Sequence, residues 1–198
     1  MNGPVIVDTG GANIASLQFA VERLGKHAEL TSDPERIGRG SHVFLPGVGA
    51  AADAMARLGR AGLNEVIPRL TQPVLGICLG MQLLYEASDE GDTRCLGVIP
   101  GRVGRMTAAP GRPVPHMGWN RVAARRGHAL LEGVADGEYA YFVHSYRAPL
   151  GDDTVATCEY GEAFTAVASR GNFHGAQFHP ERSAALGARF LANFLGLA

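Results

Sequence analysis

The sequence predicts an α/β fold: a mostly parallel central sheet flanked by helices, with additional antiparallel strands in the second half. Two observations carry this. In the first half, short apolar runs alternate with amphipathic segments, the pattern of strand–helix crossovers onto a parallel sheet. In the second half, strand-like runs follow one another with little helix between them. At 198 residues, 46% of them hydrophobic, the chain can bury a real core. No internal repeat, low-complexity tract or linker divides it, so residues 1–198 are read as one domain.

Val5-Ile6-Val7 is a buried strand that ends at Asp8 and the Gly10-Gly11 turn. Ile14, Leu17, Val21 and Leu24 follow at helical spacing, and Gly25 closes that helix. Ala28 to Thr31 is a short second strand. Asp33 then caps a helix with Pro34 at its first position. Val43-Phe44-Leu45 is a third strand, stopped by Pro46-Gly47, and Ala50 to Leu58 is helical. Pro73 to Ile77 is a fourth strand, and a helix is expected from Leu79 to Ala87. Strands are then expected at Leu96–Ile99, Tyr139–Val143, Thr154–Cys158, Thr165–Ser169 and Gly175–Phe178. Leu186, Phe190, Leu191, Phe194 and Leu195 share one face of a terminal helix that docks on the sheet.

Lys plus Arg is 18 and Asp plus Glu is 19, a balance that points to neither nucleic acid nor a membrane surface as partner. No run of about 18 apolar residues exists, so no membrane-spanning helix is expected. The start, MNGPVIVD, lacks the basic and apolar regions of a secretory signal. The three cysteines, Cys78, Cys95 and Cys158, form no C-x-x-C pair. That argues against a disulfide framework or structural zinc and for a reducing, cytoplasmic setting.

Chemistry concentrates at Gly76-Ile-Cys78-Leu-Gly80. An apolar strand, Gly-x-Cys-x-Gly and then a helix have the form of a nucleophile elbow with sulfur in place of hydroxyl. The sharp turn lifts the nucleophile above the carboxyl edge of its strand, where open α/β sheets bind ligands. Glycines at 76 and 80 let neighbouring backbone approach. The helix N-terminus under Cys78 favours a thiolate and offers free N–H groups to a developing oxyanion. Cys95, after a polar loop, and Cys158, inside a strand-like run, read as structural.

His179 is the matching base. It ends a strand, and Pro180 fixes the chain so that Glu181 stands two residues beyond the imidazole. A carboxylate so placed binds one ring nitrogen and leaves the other for the thiol. His27, His42 and His128 lie in polar or loop contexts and are expected at the surface. His144 and His174 adjoin strands and read as core or rim. The spacing of His144, His174 and His179 resembles no common zinc set, so no metal is expected. Asp8 to Asn13 is a glycine turn after a first strand, but it lacks a phosphate-loop lysine. No cofactor is expected.

Three segments together resemble class I glutamine amidotransferase domains: Pro46-Gly-Val-Gly49, Gly76-Ile-Cys-Leu-Gly-Met-Gln82 and Gln177-Phe-His-Pro-Glu181. Pro115-His-Met-Gly-Trp-Asn120 and Tyr141-Phe-Val-His-Ser-Tyr146 are further similar to the branch that forms glutaminase subunits of imidazole glycerol phosphate synthases. The likeness runs from Asp8 to the terminal helix. It implies a catalytic triad of Cys78, His179 and Glu181 that hydrolyses L-glutamine to L-glutamate and ammonia. It implies that Gly49 lies near the oxyanion on a peptide that reorients. It also implies that Gln82, Glu90, Ser145 and Tyr146 hold the amino-acid moiety. The implied partner is a (β/α)₈-barrel cyclase chain, in a heterodimer that makes imidazole glycerol phosphate and AICAR in histidine biosynthesis. Asn13, His116, Trp119, Asn120, Tyr141 and Arg182 are the candidates for the interface or the ammonia passage, with Trp119 expected to pack rather than signal. The family often has lysine at the position of Arg182, and guanidinium and ammonium are not equivalent contacts.

Two other readings compete. The glutaminase of pyridoxal phosphate synthase has a similar size and triad. It calls for Gly-Gly-Glu-Ser-Thr near the oxyanion loop, where this chain has Pro46-Gly-Val-Gly-Ala-Ala. A binding module without turnover calls for loss of Cys78 or His179, and both are present.

Overall fold

The computed structural model describes residues 3–8, 10, 14–125 and 127–198. Asn13 and most of the glycine turn before it lie outside the described residues. The first half of the chain runs β1 (Val5–Val7), α1 (Ile14–Glu22), β2 (Glu29–Thr31), α2 (Pro34–Arg39), β3 (Val43–Gly47), α3 (Ala51–Arg60), α4 (Leu63–Val66), β4 (Val74–Cys78) and α5 (Leu79–Leu83). Then come β5 (Tyr85–Ser88), β6 (Thr93–Arg94), β7 (Ile99–Arg105), β8 (His116–Ala124), β9 (Glu138–His144) and β10 (Tyr146–Arg147). The chain ends with β11 (Thr154–Glu159), β12 (Ala163–Arg170), β13 (Phe173–Ala176) and α6 (Ala184–Leu195).

Among the described residues a nine-stranded sheet has the order β2-β1-β3-β4-β13-β12-β11-β8-β9. The pairs from β2 through β13 are parallel, and those from β13 through β9 are antiparallel. A separate four-stranded sheet runs β10-β7-β5-β6. The expected division into a parallel first half and added antiparallel strands is therefore what the chain adopts.

The inner parallel strands β1, β3 and β4 are apolar and buried because both their faces are covered, whereas the edge strand β2 is largely exposed. Alternate side chains enter opposite layers. Ile6, Phe44, Leu75 and Ile77 join the core under α1 and α6, with Phe178, Phe190 and Phe194. Val5, Val7, Val43, Leu45 and Val74 join the other core, with Ile37, Leu58, Leu63 and Ile67 from the helical connections. Phe194 meets Phe44 edge-on at 5.0 Å, and Phe190 meets Phe178 at 5.3 Å, which docks the terminal helix as its apolar face predicts. Asp33 caps α2 as expected, its carboxylate accepting from the Glu35 N–H at 2.9 Å.

Some expectations need correction. The helix after Cys78 stops at Leu83, and Tyr85–Ser88 forms a strand instead. Tyr85 is buried there and pairs with Ile99, so tertiary pairing overrides the local helical pattern. The strand expected at Leu96 begins only at Ile99. The long strand β8 has no counterpart among the expected strands; it pairs with β9 from His116↔His144 to Val122↔Glu138. His42, expected at the surface, is half-buried, its Nε2 3.1 Å from the Leu197 carbonyl.

Topology places the site. β4 lies between β3 and β13, with Gly47 beside Cys78 and Ala176 beside Ile77. The chain leaving β13 therefore carries Gln177 and His179 past the carboxyl end of β4. The His179 N–H then donates to the Tyr141 carbonyl at 2.9 Å, tying this turn to β9.

Candidate active site

Cys78 sits at the turn between β4 and α5 with φ +54° and ψ −111°, a conformation that L-residues other than glycine rarely adopt. Close packing holds it there. A Cβ at Gly80 would lie 1.7 Å from the Leu45 carbonyl oxygen, and one at Gly76 would lie 2.6 Å from the Gly80 oxygen. Only glycine lets these three backbones meet, so the strain at Cys78 is imposed by its neighbours. Because α5 is only five residues long, its macrodipole is small, and its first-turn N–H groups matter more than its length. The Cys78 sulfur lies 3.7 Å from the Val143 carbonyl oxygen and 3.8 Å from Gln177 Nε2.

His179 Nδ1 lies 2.8 Å from Glu181 Oε1, and their side chains are 8% and 4% exposed. Pro180 opens a single 3-10 turn, which folds the carboxylate back onto the ring. Among the described residues, His179 Nε2 and Glu181 Oε2 are buried without a hydrogen-bond partner. Burial by itself lowers the ring's proton affinity. The Cys78 sulfur and the Glu181 carboxylate outweigh it and raise the His179 pKa to about 10. Nε2 thus makes no hydrogen bond of normal geometry, yet the sulfur is near enough to act on the charge of the ring. Burial pushes the Cys95 thiol up to about 11 and the Cys158 thiol up to about 12, so both stay protonated.

A cavity of about 360 Å³ opens over Cys78 and His179. Gly49, Gln82, Glu90, Ser145, Tyr146 and Arg182 all line it, together with Cys78 and His179. The structure therefore brings together each residue that the resemblance assigns to the amino-acid moiety. Gly49 has φ +88° and free space around it, its nearest neighbour being an Arg57 nitrogen 4.0 Å from a built Cβ. Glu90 Oε2 accepts from the Ala51 N–H at 2.8 Å, so it caps α3, whose own N-cap Ala50 offers no side-chain bond. Gln82 is buried, and its Nε2 donates to the Tyr146 carbonyl at 2.8 Å and to Gln177 Oε1 at 2.9 Å. Both its amide hydrogens are then used, and its Oε1 is what remains for a ligand.

The interface candidates are more dispersed. Asn13 lies outside the described residues. Arg182 is exposed and stacks its guanidinium 4.7 Å from the centre of the Tyr141 ring. Trp119 meets Tyr141 edge-on at 5.9 Å but is 53% exposed, so it is not an interior packing residue. His116 is buried at 3%; its Nδ1 is 3.0 Å from His144 Nε2 and its Nε2 is 3.2 Å from Asn120 Nδ2. Gln177 is a residue that the sequence does not mark as functional, although it heads the Gln-Phe-His-Pro-Glu segment.

Residues 5–197 match the family model for glutamine amidotransferase class-I. The chain is 53% identical over 195 residues to the imidazole glycerol phosphate synthase subunit HisH of Xylella fastidiosa (strain Temecula1 / ATCC 700964), covering 98% of each chain. It is 52% identical over 198 residues to the HisH subunit of Xanthomonas campestris pv. campestris (strain 8004), covering 100% of this chain and 99% of that one. Among solved structures, a glutamine amidotransferase from Thermotoga maritima matches with a TM-score of 0.67 at 19% identity, over 98% of this chain and 82% of that one. That last likeness shows the fold alone. The chain belongs to the class-I glutamine amidotransferase family, on the branch of the imidazole glycerol phosphate synthase HisH subunits.

Proposed function

We propose that this chain hydrolyses L-glutamine to L-glutamate and ammonia through Cys78, His179 and Glu181. We further propose that it passes the ammonia to a (β/α)₈-barrel cyclase subunit that makes imidazole glycerol phosphate and AICAR in histidine biosynthesis. Residues 1–198 then act as one glutamine amidotransferase domain, in the cytoplasm. The observation that carries the reading is that the strained Cys78 and His179 line one cavity, with Glu181 buried behind the imidazole at 2.8 Å.

The chemistry follows from the residues. Glu90 and the free oxygen of Gln82 suit an α-ammonium, and the Ser145–Tyr146 segment suits the rest of the amino-acid head. Cys78 gives its proton to His179, and the sulfur attacks the side-chain amide carbon. The Leu79 N–H and a peptide N–H of the Val48–Gly49 segment suit the oxyanion. Imidazolium returns the proton to the departing nitrogen, ammonia leaves, and a thioester remains. His179 then draws a proton from water, which cleaves the thioester to glutamate and restores the sulfur. Glu181 keeps Nδ1 as the bonded nitrogen, so Nε2 does the transfers.

Cys78→Ala separates the two half-reactions. The complex with the cyclase subunit should make no product from glutamine, yet make it from an ammonium salt at a pH that supplies free NH₃. Co-elution of the two chains controls for assembly. Loss of the ammonia-dependent reaction in an intact complex would end this division of labour.

A further inference from the structure

The glutaminase reading gives no task to Gln177, a buried polar side chain beside the nucleophile. Gln177 is 0% exposed, does not line the cavity, and reaches the nucleophile. We propose that Gln177 is a positioning residue that steadies the Cys78 thiolate, its amide held in the donating orientation by Gln82. The inference rests on Cys78 being the nucleophile.

The hydrogen-bond pattern fixes which end of each amide faces which partner. The Tyr146 carbonyl can only accept. It takes one bond from Gln82 Nε2 at 2.8 Å and one from His144 Nδ1 at 2.8 Å. The Gln82 group facing it must therefore be the NH₂. Its second hydrogen goes to Gln177 Oε1 at 2.9 Å. With its oxygen engaged, Gln177 presents its own NH₂ to the Cys78 sulfur at 3.8 Å. Turning Gln177 over would set NH₂ against NH₂ and, against a thiolate, a carbonyl oxygen against the charged sulfur. Both contacts are repulsive, so one orientation survives.

That orientation discriminates between the two forms of the cysteine. A thiol can donate to the Val143 carbonyl, 3.7 Å from the sulfur. A thiolate cannot, and that oxygen then repels it. An amide N–H on another side answers the repulsion and favours the charged form. Gln177 touches sulfur and not the cavity, and without it Gln82 still keeps its bond to the Tyr146 carbonyl, so the effect belongs on the chemical step and glutamine affinity should be untouched.

The test is Gln177→Leu, which keeps most of the volume and removes the donor. Iodoacetamide alkylation of Cys78 near neutral pH should fall about tenfold, the scale of one hydrogen bond to a charged group. The gap to the unsubstituted protein should close at alkaline pH, where the nucleophile's sulfur is charged in both proteins. In the complex, kcat should fall by a similar factor with KM for glutamine unchanged. Gln177→Met is the alternative if the leucine form does not fold, and Gln82→Met, which frees the Gln177 amide to turn, should shift the alkylation profile in the same sense. A folded Gln177 variant whose alkylation profile superimposes on the original, or whose loss is the same at every pH, would overturn the proposal. Peptide mapping of the labelled protein keeps the two readings apart. Label on a residue other than Cys78 overturns the glutaminase reading itself, whereas label on Cys78 with an unmoved profile overturns only the role of Gln177.

Discussion

Two buried histidines line the same cavity and meet opposite electrostatic fates. Burial lowers the proton affinity of both. At His144 burial dominates, and the pKa is held down to about 3. At His179 burial is outweighed by the Cys78 sulfur and the Glu181 carboxylate, and the pKa rises to about 10. The difference lies in what faces each nitrogen: a carboxylate at Nδ1 and the Cys78 sulfur acting on the ring at His179, a carbonyl and a neutral ring at His144. His144 donates from Nδ1 to the Tyr146 carbonyl, so its Nε2 is bare and accepts from His116 Nδ1. His116 Nε2 is bare in turn and accepts from Asn120, whose Nδ2 also donates to the Glu159 carbonyl at 2.9 Å. This chain works only with both rings neutral. An added proton would set N–H against N–H. On the proposed chemistry, an anionic partner thus makes one buried imidazole a proton carrier, and a neutral partner makes the other a fixed strut.

Removing the carrier should give the largest effect. His179→Ala should lower glutamine turnover by ~10²–10⁴-fold, the usual contribution of a general acid–base. Glutamate release by the complex is the readout. Normal turnover in this variant, with another histidine proving essential, would break the comparison at its root. Glu181→Gln should be milder, because the amide keeps the size and can still accept from Nδ1. It removes one of the two charges that raise the ring, so the alkaline limb of the rate profile should move to lower pH. A limb that stays in place would mean that the Cys78 sulfur alone sets the charge on His179.

The carrier is legible in the sequence and the strut is not, for a physical reason. His179, Pro180 and Glu181 are neighbours along the chain, and Cys78 announces itself by glycines two residues away on each side. The strut instead needs β8, and β8 hides. Along it Met117 and Trp119 are exposed, and the alternating inward positions include a histidine, so no apolar alternation shows. Gln177 is obscure for the same reason, since its partner Gln82 is 95 positions away. The fold is readable where strands are covered on both faces, as in β1, β3 and β4. The pattern misleads from Leu84 to Ala87, where Leu84, Tyr85 and Ala87 suit helix and strand alike and pairing with β6 and β7 decides.

Neutral struts have a cost that pH exposes. His116 and His174 are held down to about 4 and His144 to about 3, in each case chiefly by burial. The unfolded chain therefore binds more protons than the folded one between the ordinary value of 6.5 and about 4. Their contribution to stability is full above pH 6.5 and is lost as pH falls through about 4. His179 has the opposite sign: its contribution is full below 6.5 and is lost as pH rises through about 10. Urea midpoints across this range should fall on both sides, with the acid fall beginning well above the carboxylate range. A midpoint flat from neutral pH down to about 4 would show that the buried histidines do not resist protonation.

The smallest effect, and the sharpest, concerns His174 alone. Its Nδ1 lies 2.9 Å from Ser169 Oγ across the β12–β13 pair, and its ring meets Phe194 edge-on at 6.2 Å. It stands apart from the cavity and from the His144–His116 chain. His174→Phe should keep the ring contact and lose one hydrogen bond, a cost of about 1 kcal/mol at neutral pH. Ser169 is only partly buried, so water can replace the lost partner. In acid the variant is spared the cost of keeping one imidazole neutral. Its stability should therefore decline less steeply than that of the unsubstituted protein between pH 6.5 and about 4, and the two curves should approach or cross at the acid end. Parallel curves would place the acid sensitivity elsewhere, in the His116–His144 pair or the carboxylates, and would remove His174 from the set of neutral struts.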